Sequence, residues 1–408
     1  MRRNLTVLLA AFFGWMFDGL EMGLFPLIAG PALQQMQGSL GMAADTHFVG
    51  NWIGIVTAAY LIGAALGGLL FGWLGDRLGR VRAMSLSILC YSVFTGVTYF
   101  ARTPEQLTVA RFFAALGMGG EWSLGVALVM EVWPGRLRPM LSGVIGAAGN
   151  LGIALMGFIG LRFAVTQSSW RWVALVGAAP AVLTFLILRF VPESERWEKL
   201  SASDHKHLLR DVFAPGLVRR TLLASAFCGI MLVGTWGSVQ WLPSWADQLT
   251  GGTQPAAKAY TQILIGLGSA AGCLLSIGLV RTGRRWTYFT ICLLSLVSCS
   301  VLFRTVGSYG GAFLAWTFLV GASTGAFFGW APLYLPELFP TRVRATGQGF
   351  AYNAGRLIAA VGALQMSALM RHFEGSFARA GAVVTLVYGL GMVLIWLAPE
   401  TRGQELPT

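Results

Sequence analysis

Twelve stretches of about 20 mostly apolar residues run along this chain, each long enough to cross a bilayer as a helix. They lie at 5–30, 49–72, 84–101, 106–130, 139–161, 171–190, 219–243, 258–280, 286–304, 309–333, 346–370 and 377–398. A membrane barrel would show short alternating segments instead. Of 408 residues, 55% are hydrophobic and 11% charged, where a soluble domain carries roughly 25% charged. The mean hydropathy is +0.66. The chain therefore reads as an all-α membrane protein, and its 53 glycines suit helices packed closely in lipid. The first run, long and bearing acids, reads as a span and not as a cleaved leader.

The net charge of +12 would suggest nucleic acid only if topology were ignored. An even number of spans puts both termini on one side. Loops on that side carry about 20 of the 29 Lys and Arg, the opposite loops about 8. That bias places the termini in the cytoplasm of a bacterial-type inner membrane and removes nucleic acid as a partner. All five cysteines (Cys90, Cys228, Cys273, Cys292, Cys299) fall in spans and read as small apolar packing residues. The four histidines (His47, His205, His207, His372) are expected in loops, so neither a metal site nor a histidine relay is indicated. No cofactor is expected, and no nucleophile–base set or nucleotide loop supports an enzyme.

The sequence repeats. EVWPGRLR (131–138) returns as ELFPTRVR (337–344), offset by 206; VPES (191–194) returns as APET (398–401), offset by 207; Gly79 in GDRLGRVR corresponds to Gly283 in RTGRR, offset by 204. These landmarks predict a six-helix bundle at 1–190, a cytoplasmic linker at 191–218, a second bundle at 219–398 and a short tail at 399–408. Parallel repeats with a site between them at the midplane are a transporter architecture.

GWLGDRLGRVR (72–82) resembles the signature loop of the major facilitator superfamily. ELFPTRVRATG (337–347), PESERW (192–197) and PETRG (399–403) resemble its metabolite:proton symporters. Asp18-Gly-Leu-Glu21 is similar to the first-helix acidic motif of the aromatic-acid and sialate branches, and RFFAALGMGGEW (111–122) to the fourth helix of the sialate-like branch. Two departures stand out. Val280 replaces an Asp of the family's second signature loop, and the seventh span lacks the paired glutamines of hexose porters.

Five ionisable residues lie deep in the spans: Asp18, Glu21, Arg111, Glu121 and Arg356. Each is costly in lipid and so a functional hypothesis by default. Asp18 lies roughly 20 Å from the inner end of its helix and Arg111 roughly 8 Å from the outer end of its own, so an Asp18–Arg111 pair is allowed. In the resembled families such a pair implies a protonation switch, with Asp18 or Glu21 carrying the coupling proton. The alternative is a static ion pair ordering spans 1 and 4. Arg356, roughly 15 Å deep, offers a fork for a substrate carboxylate. The repeat offset places Asn150 at the equivalent position, and Asn150 and Asn353 are candidate hydrogen-bonding partners of the substrate. The alternative pairs Arg356 with Glu121 or a backbone carbonyl, and Glu121 is equally a candidate for the proton path. Trp122, Trp236, Trp241, Phe327 and Trp330 are candidate cavity linings, and Gln240 a candidate outer gate. Asp76, Arg80, Glu131, Arg136, Glu193, Glu337, Arg342, Arg344 and Glu400 fall at inner helix ends. The resemblance implies a salt-bridge network there that closes the inner side.

The expected function is proton-coupled import of a small organic anion (a sialate, an aromatic acid or another monocarboxylate) by a monomer. Alternatives are a sugar or polyol symporter, a uniporter or exporter, and a non-transporting sensor.

Overall fold

The computed structural model describes residues 2–41, 46–133, 137–163, 165–193, 208–254, 256–340, 343–404 and 407. Arg136 and Arg342 lie outside the described residues, as do the side chains of Asp76, Glu131 and Arg344 and residues 194–207 of the linker.

The apolar runs fold as helical spans. Spans 1 to 3 are α1 (Arg2–Ser39), α2 (Thr46–Leu78) and α3 (Arg80–Val97). Span 4 is two helices, α4 (Pro104–Met118) and α5 (Glu121–Val132). Span 5 is α6 (Arg138–Arg162); span 6 is α7 (Trp170–Val176) with α8 (Ala181–Phe190). After the short α9 (Leu208–Asp211), span 7 is α10 (Val218–Gly237) with α11 (Leu242–Leu249). Spans 8 and 9 are α12 (Ala256–Leu279) and α13 (Arg284–Thr305). Span 10 is α14 (Gly311–Gly325) with α15 (Phe327–Glu337). Span 11 is α16 (Arg344–His372), and span 12 is α17 (Phe377–Val384) with α18 (Val387–Leu394).

Ten of these spans are long and apolar enough to cross a membrane on length and hydropathy alone. The other two, spans 4 and 11, carry Arg111, Glu121 and Arg356. The split in span 4 falls at Gly119-Gly120, where two residues of low helix propensity follow one another. Span 10 breaks at Gly325-Ala326, again 206 residues on. Two histidines expected in loops are helical: His47 lies in the first turn of α2 and His372 is the last residue of α16. His205 and His207 lie outside the described residues.

The first six and last six spans meet along two seams, α6 against α12 and α2 against α16. On the face that carries the termini, Ser142 donates to the Gly329 carbonyl across the seam (2.7 Å), and Trp122 of α5 stacks on Tyr352 of α16 with ring centroids 4.2 Å apart. On the opposite face the Tyr60 and Trp236 rings meet at 5.6 Å, and Gln240 donates to the Met22 carbonyl at 3.4 Å.

At the termini-side ends, two carboxylates cap helices. Glu193 accepts from the amides of Arg80 (2.9 Å) and Val81 (3.1 Å) at the start of α3. Glu400 accepts from Arg284 (2.8 Å) and Arg285 (3.1 Å) at the start of α13. In each case the chain enters the helix through a glycine at positive φ, Gly79 (101°) or Gly283 (118°), a conformation a Cβ disfavours. A negative charge at a helix N-terminus is stabilised by the exposed amides and the helix dipole. Glu337 accepts two hydrogen bonds from one edge of the Arg284 guanidinium, Nη2 (2.7 Å) and Nε (2.9 Å), and one from the Thr401 hydroxyl. These contacts of Glu193, Glu337 and Glu400 join helices within one set of six spans, and Glu337–Arg284 is a salt bridge between helices at the termini-side ends.

Partial burial opposes charge on Glu400, but the amides of Arg284, Arg285, Arg402 and Thr401 outweigh it and hold this carboxyl below its usual range. Its stabilisation is therefore present above the unfolded value, near pH ~4.3, and is lost as pH falls through the lower folded value. Glu400→Gln should cost about 1 kcal/mol at neutral pH. Its Tm curve should merge with that of the wild type in acid. Curves that stay parallel would contradict the cap.

Candidate functional site

The deep charges converge where spans 1, 2, 4 and 11 meet. Arg111 of α4 pairs with Glu21 of α1 (Nη1 to Oε1, 2.5 Å), both almost wholly buried. The pair expected between Asp18 and Arg111 does not form. The guanidinium also packs against the rings of Tyr60 (5.0 Å to the centroid) and Phe25 (5.7 Å).

Asp18 turns instead toward span 4 and faces Glu121. Glu121 is the first residue after the Gly119-Gly120 break, so the break sets its direction. Its carboxyl lies against α1 at Gly14, one turn before Asp18, where any Cβ would overlap Glu121 Oε1. Both oxygens of Asp18 and both of Glu121 are buried and take no hydrogen bond from an N–H or hydroxyl donor, while the two carboxyls lie within hydrogen-bonding reach of each other.

Arg356 reaches from α16 across the seam. Its Nη1 donates to the carbonyls of Ala64 in α2 (3.2 Å) and Gly119 in the break (3.2 Å), and to Asn353 Oδ1 (3.0 Å). Its guanidinium lies 4.8 Å from the centroid of the Tyr352 ring. Its Nη2 is buried without a hydrogen-bond partner, and Asp18 lies within its electrostatic reach. Of the two alternatives for Arg356, the backbone carbonyl is the one occupied here.

Asn150, at the equivalent position of span 5, bonds the Gly146 carbonyl of its own helix (2.9 Å) and Cys273 Sγ of α12 (3.5 Å). Cys273 in turn donates to the carbonyl of Gly325 at the second helix break (3.1 Å). Asn150 and Arg356 thus each reach over a seam, toward opposite breaks, and do not form one pocket wall. Trp330 leaves the list of cavity linings: it packs between Tyr288 and Tyr334 and donates to the Arg284 carbonyl. Phe327 packs likewise on Tyr288 and Tyr388. Trp236, Gln240 and Trp241 do line a narrow, partly open cleft toward the face opposite the termini, together with Phe25, Tyr60 and Arg111.

Sequence reasoning passed over Tyr60, Tyr352 and Gln262. Gln262 of α12 is buried with both amide atoms unpartnered, beside Gly23 of α1. A lone amide inside the apolar run AYTQILIG was the available signal.

Comparison with known proteins identifies the family and the fold. Residues 6–363 match the Major Facilitator Superfamily. The chain is 32% identical over 402 residues to a probable 4-methylmuconolactone transporter of Cupriavidus pinatubonensis, covering 97% of this chain and 90% of that one. It is 30% identical to the 3-(3-hydroxy-phenyl)propionate transporter of Escherichia coli, with 84% of each covered. Among solved structures, the inward-open, partially occluded xylose transporter of E. coli superposes with a TM-score of 0.78 over 100% of both chains, at 17% identity, a likeness of fold. The molecule is a multi-pass membrane transporter and not an enzyme.

Proposed function

This chain belongs to the Major Facilitator Superfamily, and from that premise we propose that it imports a small organic anion together with a proton. The observation that carries this reading is the buried cluster of Asp18, Glu121 and Arg356 at the seam between the two sets of six spans, where two carboxyls take no N–H or hydroxyl donor and the guanidinium keeps Nη2 open. Buried charges left unsatisfied are costly, and a site that binds and releases charged cargo accounts for them. The relatives' names point the same way, since hydroxyphenylpropionate and muconate transporters handle organic acids. The protein works as a monomer with both termini in the cytoplasm, its two six-span units rocking about the central site. Arg356 binds the carboxylate, because a planar fork with a free edge suits a planar anion. Asp18 belongs to the proton path. Proton and anion each favour the state that accepts the other, which is thermodynamic coupling.

The test adds a panel of organic acids to proteoliposomes and follows external pH. One acid should alkalinise the medium, and Asp18→Asn should lower that proton flux at least about tenfold, the usual scale of a lost proton-transfer group. Labelled uptake with no proton movement would make the protein a uniporter.

A further inference from the structure

Charge counting at the buried cluster separates two carboxyls that exchange a proton from one that does not. Glu21 is balanced by Arg111 in a closed ion pair. Asp18, Glu121 and Arg356 remain, and the first two face each other within hydrogen-bonding reach, with no N–H or hydroxyl donor on any of their four oxygens. Among the described residues, the other titratable groups that act on this trio are Glu21 on span 1, Tyr60 on span 2, Tyr91 on span 3, Arg111 on span 4, and Tyr352 beside Arg356 on span 11. Phenols are neutral at physiological pH, so only the trio's own charges are left to balance.

With both carboxyls ionised, the trio carries one net negative charge. With one proton shared between Asp18 and Glu121 it is neutral. A bound monocarboxylate on Arg356 adds one negative charge, and a second proton restores neutrality. Uncompensated charge away from water is strongly disfavoured, so the neutral states are the ones the site occupies.

Resting on the organic-anion reading above, we infer that Asp18 and Glu121 form one proton-exchanging pair, that Glu21–Arg111 is a fixed counter-pair, and that one proton accompanies one monoanion without net charge movement. The empty site keeps one proton on the pair while the remaining carboxylate balances Arg356. On loading, the second proton arrives from the outer water onto the ionised carboxylate as the anion takes the guanidinium's Nη2 edge. On release, the same proton leaves to the water on the termini side. The substrate is thereby a monocarboxylate; a dicarboxylate would leave one charge uncancelled.

Two experiments decide. The first uses the proton alone as probe: infrared spectra of the purified protein at neutral pH, in light and heavy water. A protonated-carboxyl band should be present in the wild type, absent or at least halved in Asp18→Asn and in Glu121→Gln, and retained in Glu21→Gln. No such band, a band indifferent to the first two substitutions, or one lost only in Glu21→Gln, overturns the assignment. The second uses proteoliposomes with nicotinate, benzoate and 3-(3-hydroxyphenyl)propionate. A pH gradient should drive accumulation, and Glu121→Gln should raise the ratio of exchange to accumulation at least about tenfold. A potassium-diffusion potential of about 100 mV should leave accumulation unchanged, where one net charge would change it about fiftyfold. A fiftyfold response overturns electroneutrality. If none of the acids moves in the wild type, the organic-anion reading fails, and the stoichiometry with it; the infrared result then decides the proton pair on its own.

Discussion

Glu21→Ala unfolds at a clearly lower temperature than the wild type, with a loss of about 3–5 kcal/mol. The substitution strands Arg111, 1% exposed, between the Phe25 and Tyr60 rings with no carboxylate to answer it. A buried pair is weak evidence of stability, since both partners were taken out of water to make it. Breaking one side is a different matter, because the desolvated cation remains. The double variant Glu21→Met/Arg111→Met removes both charges at similar volume and should recover most of the loss. Thermal unfolding of the three proteins in the same detergent measures this. A Glu21→Ala protein as stable as the wild type would mean that water reaches Arg111 and the pair is not closed.

Arg356→Ala raises the apparent KM for the transported acid by about 10- to 150-fold, the span expected for losing hydrogen bonds to a charged group. Two losses combine. The anion loses its fork, and the contact from α16 to the Ala64 and Gly119 carbonyls disappears. Arg356→Lys separates them: a lysine keeps the charge but not the bidentate edge, so it should recover only part of the affinity. Initial-rate uptake over a range of acid concentrations gives both numbers. An unchanged KM in Arg356→Ala would move the anion site elsewhere, with Arg111 in the Phe25–Trp236 cleft next in line.

Depth was legible in the sequence, and direction around the helix axis was not. The spans, the paired loops and the five deep charges follow from apolar runs and repeated motifs. The partner of Arg111 does not, because Asp18 and Glu21 differ by about 60° in azimuth and roughly 4.5 Å in height. That difference sends one toward Arg111 and the other toward Glu121. The direction of Glu121 depends on the Gly119-Gly120 break, which the run RFFAALGMGGEW carries openly but whose geometry only the fold supplies. Trp330 misled for a related reason: an aromatic residue in a span can face a cavity or a neighbouring helix, and local sequence is the same for both. The termini-side carboxylates were placed at the right helix ends, yet hydrogen-bond partners such as the amides of Arg80 and Arg284 are backbone atoms that any residue supplies.

The twin caps have a mechanical consequence. Glu193 follows the last helix of span 6 and grips the start of span 3; Glu400 follows span 12 and grips the start of span 9. Each is a strap that ties the end of a six-span unit back to its middle. Neither strap stretches without losing two charged hydrogen bonds at once. Torque on span 6 or 12 is therefore handed to the whole unit. Compliance is left to the interruptions within spans, at Gly119-Gly120 and Gly325-Ala326 as well as in spans 6, 7 and 12. The interruption at Gly119-Gly120 lies beside the buried charges, and the stiffening caps lie at the termini-side helix ends.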